Sequence, residues 1–184
     1  VFNLACAASP PHYQADPEHT LLTCVLGTRH LLKLAEASGA RLLQASTSEV
    51  YGTAQTVPIA ETHPLVGQSP YAASKIAADQ CVESFHRSFG LGAVIVRPFN
   101  TYGPRQTARA VLPSIVAQAL THHEVSLGFL HPTRDLNFVT DTVAGFMLAA
   151  ERPEAVGQTL NLATGKEISV GELAVESGRF TWRF

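Results

Sequence analysis

Gln68-Ser-Pro-Tyr71-Ala-Ala-Ser-Lys75-Ile-Ala-Ala-Asp79 reads as the opening of a helix. Ser69 suits the capping position, Pro70 fits the first turn, and alanine-rich helix formers follow. Tyr71 and Lys75 then stand four residues apart and project from one face. A phenol beside an ammonium is a way to make a base. The positive charge favours phenolate and draws the tyrosine pKa toward working pH. The same spacing also arises by coincidence on amphipathic surface helices, so its meaning depends on its surroundings.

Outward from that helix the chain alternates strands and helices. Residues 1–8 read as an apolar strand and residues 9–13 as a loop. Asp16-Pro17 opens a helix that runs to about Ser38, where Gly39 stops it. Its apolar positions Leu21, Leu22, Val25, Leu31, Leu32, Leu34 and Ala35 cover more than one face, which predicts packing on two sides. Residues 41–46 read as the next strand. A helix between two strands is a βαβ unit, so the expected fold is α/β with a parallel sheet and right-handed crossovers. Thr47-Ser48-Glu49-Val-Tyr51-Gly52 follows at the carboxyl end of that strand, where ligands bind in open α/β sheets. Residues 53–67 form a loop. The Tyr71 helix runs to about Phe89 with Gly90 as its cap, and residues 92–97 form a third strand.

Beyond the sheet, residues 98–105 read as a loop and residues 110–122 as a helix. A short strand is expected at 125–128 and an extended stretch at 134–139. Thr140 or Asp141 caps a helix to about Arg152, a strand follows at 159–163, and Ser169-x-x-Glu172 is a capping box. Residues 178–184 show neither period nor partner.

The 184 residues suffice for one sizeable core. A net charge of −2 without runs of like charge argues against nucleic-acid and membrane-surface partners. No apolar stretch is long enough to span a bilayer, and the opening residues lack the basic start of a secretion signal. Cys6, Cys24 and Cys81 are widely spaced and read as small buried hydrophobes in a reducing cytoplasm. The eight histidines form no metal-ligand set, and His122-His123 reads as a solvated helix end.

Three segments agree in order and spacing: Ser46-Thr47-Ser48-Glu49-Val-Tyr51-Gly52, Tyr71-x-x-x-Lys75, and Arg97-Pro-Phe-Asn100-Thr-Tyr-Gly-Pro104. With Arg134-Asp135 and Asp141, the chain resembles the extended short-chain dehydrogenase/reductase family over about residues 1–175. Within it the chain is similar to the NAD-dependent nucleotide-sugar epimerases, dehydratases and decarboxylases. The family's Gly-x-x-Gly-x-x-Gly fingerprint is absent. The resemblance therefore implies a fragment: a partial Rossmann-type parallel sheet with flanking helices, plus a small substrate-binding part. Residues 1–100 would be the C-terminal half of the NAD-binding domain. Residues 101–184 would be a partial substrate-binding region, with strand 159–163 returning to the sheet. Weak or no NAD binding is expected of this stretch alone.

The resemblance also implies roles. Tyr71 would take the proton of the sugar C4 hydroxyl, Lys75 would hold the nicotinamide ribose, and Thr47 would hydrogen-bond the same hydroxyl. Glu49 suits removal of the C5 proton, with Ser48 where many dehydratases carry an acid. Ala5 and Ala7 would let the backbone approach NAD, and Pro98 would lie near the nicotinamide. Asn100, Arg105 and Arg134 would bind the nucleotide-sugar diphosphate. Cys24 departs from the asparagine common in the family at that place. No metal is implied. The helices at 18–38 and 70–89 would pair with their copies in a homodimer, in the cytoplasm.

Subfamily signals are mixed. Ala8-Ser-Pro-Pro-His-Tyr13 and residues 39–51 look like UDP-glucuronate decarboxylases. Residues 51–55, 67–71, 97–106 and 132–138 look like UDP-N-acetylglucosamine 4,6-dehydratases. No arginine for a substrate carboxylate occurs at 57–68. The favoured expectation is a nucleotide-sugar 4,6-dehydratase. The alternatives are a UDP-glucuronate decarboxylase, a 4-epimerase, or a noncatalytic remnant or binding protein.

Overall fold

The computed structural model describes residues 1–122 and 124–181. They divide into two compact units: residues 1–98 with 143–162, and residues 99–122 and 124–142 with 163–181.

The first unit is built on four parallel strands. β1 (Phe2–Asn3), β2 (Leu42–Ala45), β3 (Ala93–Pro98) and β6 (Thr159–Leu162) lie side by side in that order. Between the strands run α1 (Pro10–Ala15), α2 (Pro17–Ser38) and α3 (Pro70–Phe89), and α5 (Val139–Glu151) precedes β6. α2 starts where the Asp16 carboxylate accepts from the His19 N–H at 2.8 Å, and it ends at Gly39 with φ 63°. α3 starts where the Ser69 hydroxyl accepts from the Ala72 N–H at 3.0 Å, and it ends at Gly90 with φ 67°. Both sheet faces are covered. Leu32 and Ala35 of α2 and Val82 of α3 pack with Leu42, Ala93 and Ile95 on one side. Leu43, Val94 and Val96 meet Phe146, Ala149 and Ala150 of α5 on the other. The alternation along β2 and β3 is that of strands buried on both faces. Each fully buried leucine or valine here stabilises by about 1.5–3 kcal/mol.

The second unit carries β4 (Asn100–Tyr102), α4 (Val111–Thr121), β5 (Thr133–Phe138), β7 (Glu167–Ser169) and α6 (Val170–Thr181). β5 pairs parallel with β4 and antiparallel with β7. The capping box forms: the Ser169 N–H and hydroxyl donate to the Glu172 carboxylate, and the Glu172 N–H donates to the Ser169 oxygen.

Several elements differ from the sequence reading. The first strand spans only Phe2–Asn3, because the Ala5 N–H donates to the Asn3 side chain at 3.3 Å and leaves the ladder. Residues expected as a loop form α1, which buries Tyr13. Residues 125–128 form no strand. α5 begins at Val139, without Thr140 or Asp141 as its cap. α6 runs to Thr181, so part of the tail is helical, while residues 182–184 lie outside the described residues. His122 is exposed at the end of α4, and His123 lies outside the described residues. Among the described residues no helix is long and apolar enough to cross a membrane.

Candidate active site

α3 carries Tyr71, Lys75 and Asp79 at four-residue intervals, so one stripe faces the carboxyl ends of β2 and β3. All three are buried. They enter two distinct polar clusters.

Tyr71 and Lys75 enter the first. The Lys75 ammonium lies 6.0 Å from the centre of the Tyr71 ring and donates to the Ala45 carbonyl, the last of β2, at 2.8 Å. An ammonium has three N–H groups, and this is its one hydrogen bond among the described residues. Thr47 heads the 3₁₀ turn Ser48–Tyr51, and its hydroxyl oxygen accepts from the Glu49 N–H at 3.2 Å. The Thr47 side chain also acts on the Tyr71 phenol, where hydrogen bonding to it favours phenolate. The turn closes at Gly52 with φ 65°, where a Cβ would stand 3.0 Å from Val66. Tyr13 of α1 stacks on Tyr71 with ring centres 5.7 Å apart and planes 13° apart.

The phenol is not drawn down as the Tyr71–Lys75 spacing predicts. Burial pushes the Tyr71 pKa well above 10.0, the nearby Cys6 and Glu49 push it the same way, and the Thr47 hydroxyl opposes them. Desolvation of a side chain only 7% exposed outweighs the benefit of an ammonium held at ring distance. Glu49 is exposed and Ser48 half-buried.

Asp79 enters the second cluster. Its Oδ2 accepts from the Ser46 hydroxyl at 2.7 Å and from the Arg97 guanidinium at 3.3 and 3.2 Å. Arg97 donates to the Tyr51 hydroxyl at 3.0 Å, and Tyr51 donates to Asn161 at 2.7 Å. The Asn161 amide donates in turn to the Ile59 carbonyl at 2.9 Å. This chain fixes the Ser48–Tyr51 turn and the following loop to β3 and β6. Burial pushes the Asp79 carboxyl up, and Ser46 and Arg97 pull it back.

Ala5 and Ala7 follow β1 with small side chains, and Pro98 ends β3. Asn100, Arg105 and Arg134 belong to the second unit. Asn100 is in register with Leu136, which shares a strand face with Arg134. Arg134 is exposed and donates to the Thr133 carbonyl at 2.7 Å. Asp135 does not pair with it: its carboxylate caps Thr164 and Gly165. Arg105 is exposed at φ 70°, the left-handed region unusual for a non-glycine residue.

Three features escaped the sequence reading. One is the stacking of Tyr13 on Tyr71, hidden because residues 9–13 carry no helical period. Another is the Asp79–Arg97–Tyr51 chain. Its spacing signal was the continuation of the 71–75 stripe to 79. The third is a close approach of Cys6 and Cys24, whose sulfurs stand 2.8 Å apart.

The family model for GDP-mannose 4,6 dehydratase matches residues 1–180. The chain belongs to this family. UDP-glucuronic acid decarboxylase 1 of Arabidopsis thaliana is 38% identical to this dehydratase-family chain over 182 residues, covering 95% of the chain and 41% of the relative. The chain thus spans about two fifths of that relative's length. Among solved structures, UDP-glucose 4-epimerase from Thermotoga maritima, bound to UDP-glucose, superposes with a TM-score of 0.91 at 29% identity. It is matched over 98% of this chain and 60% of its own. A dTDP-glucose 4,6-dehydratase from Bacillus anthracis in complex with NAD gives 0.87 at 28% identity, over 100% of this chain and 57% of its own. The dehydratase-family sheet is therefore of the Rossmann type found in nucleotide-sugar epimerases and dehydratases.

Proposed function

We propose that the protein to which this chain belongs is an NAD-dependent nucleotide-sugar 4,6-dehydratase with Tyr71 as its base. The observation that carries this is the geometry around the phenol: buried, stacked on Tyr13, and flanked at 6.0 Å by a lysine fixed to the end of β2, with the Thr47 and Glu49 side chains bearing on its ionisation. The donor set fits a nicotinamide ribose, since Lys75 keeps N–H groups beyond its bond to Ala45. Ala5 and Ala7 beyond β1 and Pro98 at the end of β3, on either side of β2, would supply small or flat surfaces for the rest of that half of the cofactor. When bound, NAD would supply the acceptor for the C4 hydrogen and a positive charge that favours ionisation of the phenol.

Tyr71 acts as phenolate, whose formation the Thr47 hydroxyl favours and the charge of a bound nicotinamide would favour further; it takes the C4 hydroxyl proton and becomes a phenol, while Thr47 hydrogen-bonds the sugar oxygen. The C5 hydrogen of the resulting 4-keto sugar is acidic, and Glu49, exposed at the mouth of the turn, removes it. The C6 hydroxyl leaves as water with the proton that Glu49 took from C5, Ser48 hydrogen-bonding it; the hydrogen removed from C4 would then be returned at C6 and a proton at C5, so the net change is loss of water. Asn100, Arg105 and Arg134 are the proposed ligands of the nucleotide diphosphate. A homodimer through α2 and α3 is supported by Leu22 and Leu26, exposed one turn apart on α2, and by exposed Phe89 on α3.

A second reading, decarboxylation of a nucleotide-linked uronic acid, has specific support in the 38% identity to the plant decarboxylase. It shares the C4 oxidation and parts from dehydration afterwards. Product mass separates the two when the protein is given nucleotide hexoses and nucleotide uronates. Loss of water supports the first reading and loss of carbon dioxide the second. An unchanged mass with inverted C4 would replace both with epimerisation.

A further inference from the structure

We propose that Cys6 and Cys24 form a redox-active dithiol beside Tyr71 and Lys75, which a hydroperoxide closes to an intramolecular disulfide. The pair is set by register. α2 buries Thr20, Cys24, Thr28, Leu32 and Ala35 along one stripe. The amide of Asn3 in β1 donates to the Thr28 hydroxyl at 3.0 Å and to the Gln44 side chain at 2.8 Å, fixing the start of the segment against that stripe. The chain then runs back along the helix. Three residues on from Asn3, Cys6 meets Cys24, one helical turn before Thr28, with sulfurs 2.8 Å apart. Closing to a covalent S–S length of about 2.05 Å moves the sulfurs by less than about 1 Å. Cys81 lies elsewhere, packed against the Leu32–Val82 core.

The two thiols are unequal. Cys24 is 2% exposed, whereas Cys6 is partly open. The hydrogen bond between them draws the Cys6 pKa down to about 7, burial opposes this, and the Lys75 charge assists. The same bond, with burial, pushes Cys24 up. Cys6 is therefore the nucleophile and Cys24 the resolving thiol. The Cys6 thiolate attacks the peroxide oxygen, giving a sulfenic acid and releasing the alkoxide or hydroxide. The Cys24 thiol then attacks the sulfenic sulfur, forming the S–S bond and releasing water. The two thiols lose two electrons in all, and the peroxide O–O bond gains them. Closure also removes the Cys6 charge that opposes ionisation of Tyr71.

The test needs no substrate turnover, so its failure and failure of the dehydratase reading are distinguishable. Lys and Arg are absent between Val1 and Arg29, so both cysteines fall in one tryptic stretch, and Glu18 lies between them. The protein is treated with hydrogen peroxide, alkylated, and cleaved with trypsin and at Glu18 without reduction. The expected result is the two halves joined, Cys81 alkylated, and separation on adding dithiothreitol. In Cys24→Ser the expected product is a Cys6 sulfenic acid that dimedone traps. Alkylation of reduced Cys6 should be half-maximal near pH 7. Recovery of Cys6 and Cys24 both alkylated after peroxide, or Cys6 joined to any other cysteine, overturns the proposal.

Discussion

The two polar clusters on α3 make an instructive pair. Lys75 and Asp79 are one turn apart, equally buried, and oppositely charged. Asp79 is tied to Ser46 and Arg97, and through Arg97 to Tyr51 and Asn161. Lys75 makes one bond to a backbone carbonyl and sits beside a phenol whose ionisation the surroundings resist. A buried charge spent on other side chains holds structure, whereas one left with donors to spare is placed for a ligand. The difference separates a brace from a site, although one helix stripe supplies both.

That separation can be broken or sharpened by substitution. The largest effect belongs to Tyr71→Phe, which deletes the base while keeping the ring and its stacking on Tyr13. Turnover of nucleotide sugar in the complete protein should fall about 10³–10⁴-fold, roughly 4–5.5 kcal/mol of barrier. Its thermal midpoint should hold. Asp79→Ala should do the converse and destabilise folding by about 3–5 kcal/mol, because Arg97 is left buried without its anion. Urea unfolding reads this directly, and a change under about 1 kcal/mol would remove the brace from the account.

Thr47→Val comes next. It deletes one hydroxyl on the phenol and the acceptor of the Glu49 N–H, and should cost about 10–100-fold in turnover, with Thr47→Ser restoring most of it. The smallest effect is an alkaline one. The folded-state pKa of Tyr71 is raised above its ordinary 10.0 by burial. The folded state thus keeps a proton that the unfolded chain gives up. This contribution is fully present below about pH 10 and is lost as pH rises through the folded value, at up to about 1.4 kcal/mol per pH unit. The difference between wild type and Tyr71→Phe in urea midpoints at pH 9 and pH 11 isolates it. Equal pH slopes in the two proteins would mean that the phenol is not held neutral.

Much of the first unit was legible in the sequence, because its elements are long and locally signalled. Ser69-Pro70 and Asp16-Pro17 mark helix starts, Gly39 and Gly90 mark their ends, and residues 93–96 are apolar without interruption. The second unit was less legible. β4 and β7 have three residues each and exist only because β5 lies beside them, so no local period announces them. The expected strand at 125–128 joins no ladder among the described residues, because the Gln118 side chain accepts from the Ser126 backbone N–H at 2.8 Å and donates to its carbonyl at 3.3 Å. In the site, the Tyr71–Lys75 spacing was readable as a face of a helix. The direction of the Tyr71 pKa was not, since burial is a property of packing and outweighs the ammonium that the spacing reveals. Cys6 and Cys24 were read as separate hydrophobes because the bond from Asn3 to Thr28, which aligns them, has no sequence signature.

Nucleotide-sugar binding to the Tyr71→Phe protein, measured by calorimetry beside the wild type, tests the central claim most directly. Affinity kept within about threefold while turnover is lost means that the phenol acts on the transition state and not on the fold or the ground-state complex. Loss of affinity in step with turnover, or turnover that survives the substitution, would contradict the assignment of Tyr71 as the base.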